Sequence, residues 1–198
     1  MKALIYDLEI KNAIQGRNET RIEGIDYCGG WGDHAGMGIS VMGAYDVEKN
    51  RARVFCDDNK DEFFETVADA DVIVGFNNIP FDNKVTTLCW DGNKEMLDTK
   101  SYDILREIWI AAGLPPAFNP RTHGGYGLDA TCKANFGTEK SGNGALAPVL
   151  WQQGKIGAVI DYCMNDIALT LQLWRKIVAG EPLICPKTGS ELRLRSPV

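Results

Sequence analysis

The chain has 198 residues, of which 44% are hydrophobic and 24% charged, with a formal net charge of −6. That length suits one domain with a sizeable core, and no apolar run approaches the ~20 residues that span a bilayer. The acidic balance argues against a module that coats long nucleic acid by neutralising phosphates, but it leaves room for a pocket that grips a few nucleotides through metal ions.

Acids interrupt the apolar N-terminal run M-K-A-L-I-Y-D-L-E, so no signal peptide is expected and the cytoplasm is the default location. The six cysteines, Cys28, Cys56, Cys89, Cys132, Cys163 and Cys185, form no C-x-x-C pair and are accompanied by only two histidines. A zinc site is therefore disfavoured, and reduced thiols are the simplest account.

The first predicted element is a strand over Ala3–Ile10, A-L-I-Y-D-L-E-I. Side chains two apart share a strand face, so Asp7 and Glu9 stand together, opposite Tyr6, Leu8 and Ile10. Two carboxylates side by side repel, and a divalent cation between them relieves the cost. The plainer alternative is a solvated edge strand.

Residues 11–36 read as an irregular loop, with the glycine-rich G-G-W-G-D-H-A-G-M-G from Gly29 to Gly38 lacking any phosphate-loop context. Met37–Tyr45 and Ala52–Cys56 read as a hairpin around the polar turn Asp46–Asn50, and Asp61–Ala70 as an amphipathic helix. Asp71–Phe76 reads as a short buried strand followed by the loop N-N-I-P-F-D, with a helix from Asp82 to Trp90. Met96–Asp98 suggests a short strand and Ser101–Gly113 a helix capped by Ser101. A Pro- and Gly-rich loop, 114–126, leads to a helix over Leu128–Phe136, a polar linker over 137–144, and helices over Ala145–Gln153 and Ile156–Val178. The main unit is expected to cover 1–179, with 180–198 as a tail of the same domain that folds into a small hairpin. Strands first, then helices mixed with strands, indicate an α/β fold with a mixed sheet.

The last long helix carries an apolar stripe of Ile156, Ile160, Cys163, Ile167, Leu171 and Trp174, with Tyr162 and Asp166 one turn apart beside it. Taken alone, Tyr162 and Asp166 read as a surface pair.

Taken together, D-L-E (Asp7, Glu9), N-N-I-P-F-D (Asn77, Asn78, Phe81, Asp82) and Y-C-M-N-D (Tyr162, Asp166) resemble the three motifs of the DEDD, or DnaQ-like, 3′–5′ exonucleases of the ribonuclease H-like superfamily. The spacing Y-x-x-x-D is that of the tyrosine subclass, and G-L-D-A at Gly127–Ala130 is similar to a sequence in family-B DNA polymerase proofreading domains. The resemblance spans roughly Ala3 to Trp174. It implies a ribonuclease H-like sheet flanked by helices and a site for two Mg2+ or Mn2+ ions.

On that resemblance, Asp7 bridges both ions, Glu9 and Asp166 complete the first, and Asp82 helps hold the second. Tyr162 orients the attacking water, a positioning role for a phenol that ordinarily titrates near ~10. Asn77, Asn78, Phe81 and the 121–127 loop are candidates to grip the terminal nucleotide, although His123 and Tyr126 in that loop read equally as core or solvated loop residues. Phe76, Phe81 or Trp31 are candidates to stack on a base, with core burial the stronger reading of Phe76. The implied substrate is a single-stranded 3′ end, DNA favoured over RNA, with a separate polymerase or a replication or repair factor as a possible partner and no membrane. The alternatives are an RNA exonuclease, a structure-selective endonuclease, or a non-catalytic binding module on the same fold.

Overall fold

A computed structural model describes residues 1–16, 18–138 and 144–197. Strand β1 (Ala3–Ile10) lies at the centre of a mixed sheet. On one side it pairs antiparallel with β2 (Ile39–Asp46), which pairs antiparallel with β3 (Arg51–Phe55). On the other side it runs parallel to β4 (Val72–Gly75), which is parallel to β5 (Ser101–Asp103). The order is β3-β2-β1-β4-β5. β1 is apolar on nearly every residue because helices cover both of its faces.

The helices are α1 (His34–Met37), α2 (Lys60–Asp69), α3 (Asp82–Trp90), α4 (Lys94–Lys100), α5 (Ile104–Ala111), α6 (Leu128–Phe136), α7 (Ala147–Gln152) and α8 (Ile156–Val178). Two cores result. Leu4, Tyr6, Leu8 and Ile10 of β1 pack with Met42, Phe55, Phe63, Val85 and Leu97. Ala3 and Ile5 pack on the opposite face with Val41, Val74, Ile108, Cys163, Ile167 and Trp174. Tyr6 and Leu8 thus anchor the strand in one core, while Asp7 and Glu9 project toward the face covered by α8.

Four local expectations change. Met37 closes the short helix α1, so β2 begins at Ile39. Met96–Asp98 lies inside α4, whose N-terminus is capped by the Asn93 side chain accepting from the Met96 amide at 3.0 Å. Ser101 belongs to β5, and its hydroxyl donates to the Leu97 carbonyl, so it closes α4 instead of opening α5. The cap of α5 is Asp103, and the helix starts at Ile104. The helix expected from Ala145 begins with a 3-10 turn over Gly144–Leu146. Most of the expected 137–144 linker lies outside the described residues.

The tail forms the expected hairpin, β6 (Leu183–Ile184) with β7 (Glu191–Leu192). Leu183, Cys185 and Leu192 are buried in the α8-side core. The Tyr102 hydroxyl donates to the Arg195 carbonyl at 2.7 Å, and the Arg195 guanidinium makes a two-pronged contact with the Glu107 carboxylate. Among the described residues, no helix is long and apolar enough to cross a membrane.

Candidate active site

At Asp7, β1 faces Gly43 of β2. A Cβ on Gly43 would fall 2.6 Å from Ile167 Cδ1 and 2.9 Å from Cys163 Sγ, so the glycine lets α8 settle directly on the sheet. This close approach brings the Tyr162 turn of α8 to the acidic face of β1. The Cys163 thiol donates to the Asp7 carbonyl at 3.4 Å.

The β4-to-α3 loop supplies the next side of the site. Asn77 holds a left-handed backbone, φ 73°, a conformation asparagine tolerates better than most side chains. The Asp103 carboxylate accepts from the amides of Asn77 (2.9 Å), Ile79 (3.3 Å) and Arg106 (3.3 Å), fixing the loop and capping α5 at once. Asp82 then enters at the first turn of α3, with only 5% of its surface exposed. Burial pushes its carboxyl up to about 7, opposed by the amides of Asp82 itself and Leu8, with the Asp103 charge adding to the rise.

These elements enclose a cleft of about 450 Å³ whose lining includes Asp7, Glu9, Asp82, Tyr162 and Asp166. Asn77, Phe76, Phe81 and Trp31 line it as well. Asn78 does not. It is fully buried, and its amide donates to the Ser101 hydroxyl at 3.0 Å, so it braces the loop from behind. The 121–127 loop contributes nothing to the lining among the described residues. His123 is 2% exposed, packed edge-on to Trp109 at 4.5 Å and bonded through Nε2 to the Pro115 carbonyl.

Oxygen atoms of Asp7 and Glu9 and the sulfur of Cys163 all lie within 4.8 Å of one another. Glu9 and Asp166 are, like Asp82, almost fully buried. Carboxylates gathered in so little water repel unless protonated or balanced by cations, and their hard oxygens suit Mg2+ or Mn2+. Burial, with Asp7 and Glu9 beside it, pushes the Cys163 thiol well above its usual range. Asp7, Glu9 and Cys163 together offer a donor set that could hold a metal ion.

The chain has a similar solved structure. It superposes on the family B DNA polymerase of the hyperthermophilic archaeon Pyrobaculum calidifontis with a TM-score of 0.60 and 16% sequence identity, covering 89% of this chain and 24% of the polymerase. The chain thus spans about a quarter of that protein's length. No family profile and no curated protein sequence matches the chain. The likeness and the mixed five-stranded sheet flanked by helices agree with the expected ribonuclease H-like fold.

Several residues of the site escaped the sequence reading. Cys163 reads as a buried apolar residue, yet it lies one turn before Asp166 on α8, a spacing that puts it toward the same face. Asp103 carries an N-cap signal, an aspartate directly before an apolar helix, which Ser101 two residues earlier obscured. Ile14 and Gly144 line the cleft without any local signal.

Proposed function

We propose that this protein is a metal-dependent 3′–5′ exonuclease that hydrolyses phosphodiester bonds at single-stranded nucleic-acid ends, DNA favoured. The observation that carries the reading is the convergence of Asp7, Glu9, Asp82, Asp166 and Tyr162, drawn from three distant stretches, on one cleft. The 3′–5′ polarity and the preference for DNA rest on the motif resemblance.

In this reading Asp7, Glu9, Asp82 and Asp166 hold two Mg2+ or Mn2+ ions. Such ions, when bound, neutralise the phosphate and acidify a water at neutral pH. The chain's own part is placement. Tyr162, one turn from Asp166, directs its hydroxyl to the attacking water and aligns it with phosphorus. Asn77 offers its side-chain amide to the sugar-phosphate at the rim. Phe76, Phe81 and the apolar residues Leu8, Ile10 and Ile14 line the cleft and exclude bulk water, which strengthens the electrostatic contacts inside it. A separate polymerase or a replication or repair factor would supply the frayed ends.

The deciding experiment incubates the protein with 5′-labelled single-stranded DNA or RNA in Mg2+, Mn2+ or EDTA. A ladder shortening from the 3′ end, abolished by EDTA, is the expected result, and absence of cleavage with either metal rejects the proposal. Asp7→Ala and Asp166→Ala should each abolish turnover while the far-ultraviolet circular dichroism stays native.

A further inference from the structure

The cleft has a second wall that the carboxylates do not use. Trp31 lines it while 70% exposed, an unusual state for so large an apolar ring. Its ring lies 6.2 Å from that of Phe81, tilted by 56°, and the His34 ring meets Phe81 edge-on at 6.1 Å. Phe81 directly precedes Asp82, so the aromatic group adjoins the acidic one.

Trp31 is held on a built support. The Asp33 carboxylate accepts from the Gly29 amide at 2.7 Å and the Gly36 amide at 3.0 Å, and the Asp33 amide donates to the Gly30 carbonyl. A Cβ at Gly36 would fall 2.1 Å from the Asp33 carboxylate, which explains a glycine there. From α7, Gln152 donates to the Lys11 and Asp26 carbonyls and accepts from the Asp26 amide at 2.7 Å. Gln152 thus ties Lys11 and Asp26 to α7, and the exposed indole is presented on the turn that Asp33 holds.

A flat, uncharged π-face beside an acidic phosphodiester site fits one kind of occupant, an unstacked nucleobase. We infer that Trp31 is the stacking platform for the 3′-terminal base, so that the enzyme selects ends whose last base is present and unpaired. This rests on the nuclease reading above.

The test compares a short oligothymidylate with the same strand ending in an abasic nucleotide. The protein should prefer the thymine end in kcat/KM by about tenfold, roughly 1.4 kcal/mol. Trp31→Ala should bring that ratio near one, and Trp31→Phe should keep most of it. A preference that survives Trp31→Ala, or none in the unmodified enzyme, overturns the inference and leaves the nuclease reading intact. Fluorescence titration of Asp7→Asn with the oligothymidylate reads stacking without turnover. Quenching that disappears when Trp31→Phe is added supports the platform even if the protein cleaves neither strand, a result that would reject the nuclease reading alone. Absence of such quenching rejects the platform.

Discussion

Asp82 is held as an acid far from its ordinary range, and the sign of its effect on stability follows. Its carboxyl titrates at about 7 in the folded chain against a reference of 3.8, so between those values the native state binds the extra proton. Stability then falls as pH rises through that window, because the unfolded chain loses its proton there while the folded chain must keep it. In EDTA, the thermal midpoint should rise when the buffer is taken from about pH 8 to about pH 6. Asp82→Asn should flatten that dependence, as scanning fluorimetry would show. Metal binding must expel the same proton, so Mg2+ affinity measured by calorimetry should weaken as the pH drops below about 7. Tyr162 behaves differently. Its proposed part is alignment, so Tyr162→Phe should lower kcat by about tenfold, well short of the loss in Asp7→Ala. A loss as large as that of Asp7→Ala would assign the hydroxyl a larger role.

At the scale of elements, the site depends on how closely α8 lies against β1 and β2. Gly43→Val would drive methyl groups into Ile167 and Cys163, and overpacking of this kind costs about 1–3 kcal/mol. Because the strain falls at the Tyr162 turn, activity should drop more than the thermal midpoint predicts, which paired kinetics and melting would reveal. Asp103→Ala removes the acceptor for three backbone amides and should loosen the 77–79 loop, weakening metal binding and destabilising the fold by about 1–3 kcal/mol. Elements with a strong local period were legible in the sequence: β1, the β2–β3 hairpin, α3, and α8 to its end residues. What failed was decided by tertiary contacts. Ser101 and Asp103 both make plausible caps, and only the contacts of Ser101 with Leu97, Asn78 and Asn83 tell them apart. Asn77 and Asn78 are chemically identical, yet one lines the cleft and the other is buried, because a single left-handed residue turns the chain between them. The acids themselves were legible because a buried strand with charges two apart violates the apolar pattern. Trp31 was less so, since a tryptophan in a glycine-rich loop carries no period.

For the whole molecule, both cores are made of apolar side chains that do not need the carboxylates. Stripping divalent ions should therefore leave the circular dichroism spectrum unchanged while abolishing turnover, and a large loss of helix in EDTA would show that the ions also hold the fold. The thiol-to-carbonyl contact between Cys163 and Asp7 joins positions 156 apart in the chain. Closing a loop of that length costs entropy that local contacts do not. A chain growing on a ribosome would carry Asp7, Glu9 and Asp82 long before α8 emerges, and in that state it has acids but no cleft. The strand that opens the sequence waits for the helix near its end, so the proposed site is complete only once α8 has been made.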